Sequence, residues 1–464
     1  MSNGSGRSKL YILEPLVQKL PEVRSPKRHI SFKEKLIWSG LAIVIYLVMS
    51  RIPLFGGAEQ PMEIFGQLQV VLASRAGTLM QLGISPIVTS GIIMQLLVGA
   101  NLINLELGDP RDKALFTGTQ KVLAIIVGAV QASAFVLSGA LTGGEMLGFG
   151  MTAFLILQLI IGVAVVLFLD ELVSKYGFGS GISLFILGGV SAAVFWQAFN
   201  PTSLGGELGG AVPNFFSALM EGTPGALSRA FYRGANLPDM LGVISTVVIF
   251  FIAIYVINMR VEIPLSYSRY GGMRGRYPIQ FLYASVIPVI LSSVVFTNVS
   301  ILARATNLSF LGSFDANGNP IGGLYYYLNS PNGISQVMAE PFHALFYLVA
   351  LVVFCMGFAW LWVQMTNMAP SDVADQLKSS GMSIPGFRRD TRIMENMLSR
   401  YITPVTLLGG ATIGALAAGA NFLGALSTGT GIVLAVSIAY RLYREIAREQ
   451  LSEMFPAARK LLGG

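Results

Sequence analysis

Gly150 to Leu169 reads GMTAFLILQLIIGVAVVLFL, twenty residues without one charged side chain. At about 1.5 Å of rise per residue, a helix of this length covers the roughly 30 Å hydrocarbon core of a bilayer. Lipid cannot satisfy free backbone N–H and C=O groups, so such a run must be helical, and it lacks the alternation of a barrel strand. Nine further apolar runs lie on either side: Leu36 to Ile52, Leu82 to Ala100, Leu115 to Leu137, Gly181 to Phe199, Met240 to Ile257, Ile279 to Leu302, Phe342 to Met365, Ile402 to Ala420 and Gly424 to Tyr440. The expected fold is therefore all-α, a polytopic membrane protein with ten transmembrane helices.

Composition agrees. Hydrophobic residues make up 53% of the chain and charged ones 12%, against about 25% charged in a soluble domain. The single cysteine, Cys355, excludes an internal disulfide, and two distant histidines, His29 and His343, argue against a His/Cys metal cluster. The first apolar run begins only near Leu36, behind a charged segment, which is not the pattern of a cleaved signal peptide.

Net charge is +7, and its placement sets the orientation. With the N-terminus in the cytoplasm, only Arg51, Arg75, Arg229, Arg233 and Arg304 of the 31 Lys and Arg residues fall on the far side or its rim. That bias matches the positive-inside rule and puts both termini in the cytoplasm. Five runs precede the 200–239 connection and five follow it. The expected organisation is a cytoplasmic N-terminal segment (1–35), a first half (36–199), an external connection (200–239), a second half (240–440) and a tail (441–464), with the halves pseudo-symmetric and inverted.

Two cytoplasmic connections, about 258–279 and 366–401, are long and basic. The first carries Arg260, Arg269, Arg274 and Arg276; the second carries Lys378, Arg388, Arg389, Arg392 and Arg400. They read either as orientation charge or as a landing site for an anionic partner such as RNA. Lys9 to Leu20, KLYILEPLVQKL, reads as a helix on the cytoplasmic surface or as a disordered arm. External stretches such as LGSFDANGNPIGG read as turn-rich loops, with Asn298 and Asn307 heading sequons on or near that face.

The spans lack the charges of a pump. Asp170, Glu171, Arg260 and Arg441 fall at span ends, and Lys121 is placed to snorkel to the cytoplasmic side. This disfavours an ion-coupled transporter. An intramembrane enzyme should show a convergent acid, base or nucleophile set, and none is visible. YGFGSGIS from Tyr176 lacks the Lys of a phosphate loop and reads as a helix start in which Gly177, Gly179 and Gly181 allow close packing.

One segment is more specific than these patterns: LGISPIVTSGIIMQLLVGA, Leu82 to Ala100. It resembles the second-span signature of the SecY family, the main subunit of the Sec protein-conducting channel. ALFTGTQK, DELVSKYGFGSGISLFI, MRVEIPLSYSR, GFRRD and ANFLGALSTGTG follow in family order, in wording nearer the archaeal and eukaryotic branch. The resemblance implies an hourglass channel without enzymatic chemistry or cofactor, in a prokaryotic cell membrane of the archaeal type. It implies a constriction of Ile84, Val88, Ile182, Ile186, Ile290 and Leu434, which the sequence alone would read as packing.

It also implies a plug at Ile64, Phe65, Gly66, Gln67, Leu68, Gln69, Val70, Val71, Leu72, Ala73 and Ser74, a segment too short to span. The alternative is an amphipathic external helix; by either reading Gly77 and Gly83 serve as joints. A lateral gate follows between the second, third, seventh and eighth spans, with Pro86 and Pro288 permitting bends and Thr89 and Gln131 at polar positions. Val286 stands where many relatives carry Asn, so the gate is expected to lack one amide hydrogen bond, worth about 0.5 to 1.5 kcal/mol. Implied partners are small single-span subunits of the SecE/gamma and beta types, the ribosome, signal peptides and nascent chains, and membrane lipid. Arg269, Arg274, Arg276, Lys378, Arg388, Arg389 and Arg392 would meet the ribosome.

Overall fold

The computed structural model describes residues 10–11, 14–17, 19, 21–28, 30–57, 68–99, 102–103, 105, 109–139, 141, 148–204, 207–221, 225–233, 237–267, 273–306, 308–315, 320–366, 368–379, 382–383 and 391–454. The chain opens with α1 (Glu14–Val17), α2 (Phe32–Met49), α3 (Leu68–Val71), α4 (Ser85–Gly99), α5 (Pro110–Leu137), α6 (Phe149–Tyr176) and α7 (Gly181–Phe199). There follow β1 (Ser203–Leu204), β2 (Glu207–Leu208), α8 (Ala211–Glu221), α9 (Ala226–Phe231), α10 (Met240–Asn258), β3 (Arg260–Tyr267), β4 (Met273–Gln280) and α11 (Ile287–Thr306). The remainder is β5 (Ser313–Phe314), β6 (Pro320–Gly322), α12 (Leu324–Leu328), α13 (Gly333–Ala339), α14 (Pro341–Met365), α15 (Pro370–Ser379), β7 (Met382–Ser383), α16 (Thr391–Phe422) and α17 (Gly429–Met454).

The ten apolar runs fall on α2, α4, α5, α6, α7, α10, α11, α14, α16 and α17. Seven helices among the described residues are long and apolar enough to cross a membrane. The other three differ for visible reasons: α2 begins with Lys33, Glu34 and Lys35, α4 has only 15 residues, and the second half of α17 is charged. Helix starts are marked chemically. Ser31 caps α2 through Glu34 N, Asp109 caps α5 ahead of Pro110, and Asp239 caps α10 through Gly242 N at 2.7 Å.

The chain divides into two compact units, Met1–Thr223 with Ser293–Asn329 and Ile438–Gly464, and Pro224–Ser292 with Ser330–Ser437. In the first, α5 packs between α4 and α6, and α2 lies on α6 and α7. Close approach needs small residues: a Cβ on Gly162 would meet Leu79 O at 2.3 Å. In the second, α14 packs along α16, where a Cβ on Gly410 would meet Cys355 O at 2.8 Å.

The connections hold more structure than their composition suggested. In the second unit, β3 and β4 form an antiparallel hairpin, Arg260 opposite Gln280, and β7 adds to β3 with Tyr267 opposite Met382. The two basic connections are thereby joined over one apolar core that includes Ile263, Ile279, Val373, Leu377 and Leu398. LGSFDANGNPIGG supplies β5 and β6, paired through Ser313 and Gly322, and α8, α9, α12 and α13 add short helices.

Candidate functional site

A polar seam joins three helices of the first unit. Gln131, on α5 and 4% exposed, donates from Nε2 to Asn298 Oδ1 at 2.8 Å on α11 and lies 3.4 Å from Ser85 Oγ at the start of α4. Asn298 in turn donates from Nδ2 to Thr89 Oγ1 at 3.0 Å, one turn into α4. Polar groups at membrane depth are expensive unless bonded to one another, which is why these side chains meet. Gln131 Oε1 is buried without a partner, so the seam is bonded but not saturated.

This corrects one expectation. The amide thought missing at position 286 is present twelve residues further along at Asn298, while Val286 is a buried apolar residue in the turn before α11. Asn298 falls within the seventh apolar run, as the span bounds expect. It lies two turns inside α11, which runs to Thr306, with its side chain committed to the seam. The signal available in the sequence was an Asn within an apolar run, flanked by Ser292, Ser293 and Thr297. Asn307 lies outside the described residues.

Pro86 sits in the first turn of α4, where its missing N–H takes no bond from the helix, and Pro288 sits likewise at the start of α11. Both prolines are thus placed as helix starters.

Next to the seam lies the segment expected to form the plug. Ile64, Phe65, Gly66 and Gln67 fall outside the described residues; Leu68 to Val71 form α3, and Leu72, Ala73 and Ser74 turn away from it. Three contacts hold this stretch. Ile84 N donates to Leu72 O at 2.9 Å, Tyr46 Oη donates to Ala73 O at 3.2 Å, and α3 packs on α7. Tyr46 is itself fixed by stacking on Phe185, ring centroids 5.1 Å apart. Gly83 is required here rather than merely a joint: its φ is +52°, and a Cβ would meet Leu72 O at 2.2 Å. Ala73 carries φ +50°, costly for a residue with a Cβ.

Four of the six expected constriction residues belong to the first unit. Ile84 and Val88 lie one turn apart at the head of α4, with Val88 N bonded to Ile84 O, and Ile182 and Ile186 lie one turn apart on α7. Ile84 and Ile186 are fully buried. Ile290 on α11 and Leu434 on α17 belong to the second unit, and Leu434 is fully buried.

At the cytoplasmic end of α5 and α6, where Lys121 is expected to reach, is a charge cluster built around that lysine. Its side chain is 12% exposed and pairs with Glu171 and Glu22, each at 3.0 Å. Lys175 pairs with Glu171 at 2.7 Å and donates to Val23 O, and Tyr176 Oη donates to Arg24 O at 2.8 Å. The N-terminal segment is thereby strapped across both helices, with Tyr11 Oη on Asp112 at 2.6 Å. Nearby, Asp170 Oδ1 accepts from Ile182 N and Ser180 Oγ, tying α6 to the head of α7. A Cβ on Gly181 would meet Asp170 Cα at 2.5 Å, which is the close packing expected of YGFGSGIS.

Of the basic residues, Arg276 on β4 is exposed and pairs with Glu262 at 2.6 Å, and Lys378 and Arg392 are exposed on α15 and α16. Arg274 is opposite Ser266 in the hairpin register. Arg269, Arg388 and Arg389 lie outside the described residues. Among the described residues no group of His, Cys, Asp and Glu could hold a metal ion.

Comparison with known proteins agrees with this layout. The family described as SecY matches residues 78–443, and the plug domain of Sec61p matches residues 44–77. A protein translocase subunit SecY from Pyrococcus furiosus is 44% identical, over 98% of this chain and 99% of the relative. A solved protein-conducting channel superposes with a TM-score of 0.83 at 41% identity, covering 96% of this chain and 99% of that one. Sec61 in a canine ribosome-channel complex from the endoplasmic reticulum gives 0.81 at 40% identity, covering 96% and 99%.

Proposed function

The chain belongs to the SecY family, and on that premise we propose that it is the pore-forming subunit of a protein translocation channel, passing unfolded secretory polypeptides across a membrane and releasing apolar segments sideways into lipid. The observation that carries this reading is the polar seam of Gln131, Asn298 and Thr89, set beside a short segment pinned to Ile84. A polypeptide in lipid would leave each backbone group unpaired at a cost of several kcal/mol, so a watery path is needed. Such a path must also hold back ions. A ring of Ile84, Val88, Ile182, Ile186, Ile290 and Leu434 does so by dewetting, and aliphatic side chains yield to a moving chain without binding it.

The segment around α3 acts as the plug, and α4, α5, α11 and α14 border the gate. The hairpin β3–β4, with α15 and the start of α16, offers a basic platform for ribosomal RNA, to which Arg269, Arg274, Arg276, Lys378, Arg388, Arg389 and Arg392 contribute. A related Sec61 was solved in a ribosome-channel complex, which supports this partner. Single-span SecE/gamma and beta subunits complete the assembly, in the plasma membrane of an archaeal cell. The channel performs no chemistry of its own; force comes from the translating ribosome. The test is reconstitution with those subunits and a secretory precursor. Protection of the precursor from external protease is the expected result; solute uptake without protection would overturn the reading in favour of a transporter.

A further inference from the structure

Within the first unit, a cavity of about 760 Å³ lies between α2, α7 and the stretch that follows α3. Its size is that of a pocket for a drug-sized or larger ligand. Two kinds of wall meet in it. Val44, Leu47 and Val48 of α2 face Gly189, Ala192 and Ala193 of α7 across an apolar cleft at membrane depth. Val44 and Val48 are 56% and 55% exposed, so the cleft opens on the lipid side of the helices rather than being sealed in protein. The small residues of α7 give the cleft its depth.

The outer end is different. Arg51, just past α2, and Arg75, just past the plug segment, both line it, together with Ser74 and Gln69. Neither guanidinium has a carboxylate within ion-pair distance among the described residues. Burial and, next, the neighbouring Arg51 charge push the Arg75 pKa down, so the protein holds two cations together at a cost. Gln69 Nε2 is buried there without a hydrogen-bond partner. Two cations with no carboxylate partner among the described residues, above an apolar cleft, call for an anion with a hydrocarbon tail.

We propose that this cavity binds an acidic phospholipid of the outer leaflet, its phosphate held between Arg51 and Arg75 and one acyl chain lying in the cleft between α2 and α7. Gln69, Val70, Ala73 and Ser74 belong to the cavity wall, so a bound lipid also braces the segment assigned as the plug; this consequence rests on the channel reading. Lipid binding itself does not.

The test uses the assembled channel in nanodiscs containing phosphatidylglycerol and phosphatidylcholine, with retained lipid read by native mass spectrometry. The expected result is retention of phosphatidylglycerol over phosphatidylcholine by about tenfold, as two charge-assisted contacts allow. The double variant Arg51→Gln/Arg75→Gln should lose that preference, and Arg51→Lys/Arg75→Lys should keep most of it. Ala192→Leu, which fills the cleft but leaves both arginines, should also release the lipid. Equal retention of the two lipids by the unaltered channel, undiminished preference in the Gln double variant or in Ala192→Leu, or displacement by millimolar inorganic phosphate would each overturn the proposal. Protease protection of a precursor, measured on the same preparations, reports separately on the channel reading.

Discussion

Replacing Asn298 by Ala removes both hydrogen bonds that tie α11 to α4 and α5, those to Gln131 at 2.8 Å and Thr89 at 3.0 Å. Each is worth about 0.6 kcal/mol by measurements within membranes and about 1.5 kcal/mol at the upper end for neutral groups. The pair therefore contributes about 1 to 3 kcal/mol to keeping these helices together, which is roughly a 5- to 150-fold change in the ratio of parted to closed forms. Gln131, already lacking a partner at Oε1, is then left with only the long contact to Ser85. The assay is translocation, in reconstituted vesicles, of a precursor whose signal segment has been made too polar to pass. Asn298→Ala should restore its passage severalfold, whereas Gln131→Leu/Asn298→Leu, which makes the seam apolar on two sides, should restore it less or not at all. Equal passage by Asn298→Ala and the unaltered channel, together with unchanged resting ion conductance, would refute the argument.

Gly83→Ala sets a Cβ 2.2 Å from Leu72 O at a φ of +52°, so it should unseat the plug segment and raise resting ion conductance severalfold; conductance across a planar bilayer measures it. Glu171→Gln removes the carboxylate shared by Lys121 and Lys175, while Lys121 keeps Glu22 and Lys175 keeps the Val23 carbonyl, so it should cost about 1.5 kcal/mol, the low end for a hydrogen bond to a charged group, read as a lowered unfolding midpoint in detergent. Charge reversal at Arg388 or Arg392 should weaken ribosome docking and flatten its salt dependence by about 0.7 to 0.9 for each phosphate no longer neutralised, with the channel still folded; titration across a salt series checks it.

The helices are legible in the sequence because membrane insertion is written locally. Gly150 to Leu169 is α6, Phe149–Tyr176, extended by about two further turns, DELVSKY, at its cytoplasmic end. The seam is half legible. The family resemblance marks Thr89 and Gln131 as polar positions but places the expected amide at position 286, where Val286 lacks it, because which residues of separate helices share a depth is a property of packing and not of spacing. The hold on the plug segment is hidden for another reason: Ile84 N to Leu72 O joins two backbone groups, which no side chain advertises. Gly83 is the only trace of it. Glu171 and Lys175, at i and i+4, can be paired by inspection, but Lys121 reaches them from another helix. The hairpin leaves a trace too, since Val261, Ile263 and Leu265 alternate, yet three alternating residues inside a basic connection are a weak signal beside the arginines around them.

The seam's modest strength has a consequence for selectivity. An apolar residue gains about 0.3 to 0.6 kcal/mol on moving into lipid, so a segment with ten of them gains about 3 to 6 kcal/mol. Parting α11 from α4 and α5 costs about 1 to 3 kcal/mol in seam hydrogen bonds. The two quantities overlap, so a strongly apolar segment can part the helices unaided while a weakly apolar one cannot, and the boundary falls at several Leu or Ile equivalents. A seam of buried ion pairs would set that boundary beyond the reach of ordinary signals, and a purely apolar seam would part less readily for a polar segment than for a greasy one. Two neutral amides and a hydroxyl, Gln131, Asn298 and Thr89, put the threshold where hydrophobicity can be read, and the partnerless Gln131 Oε1 is what stops the seam from being stronger.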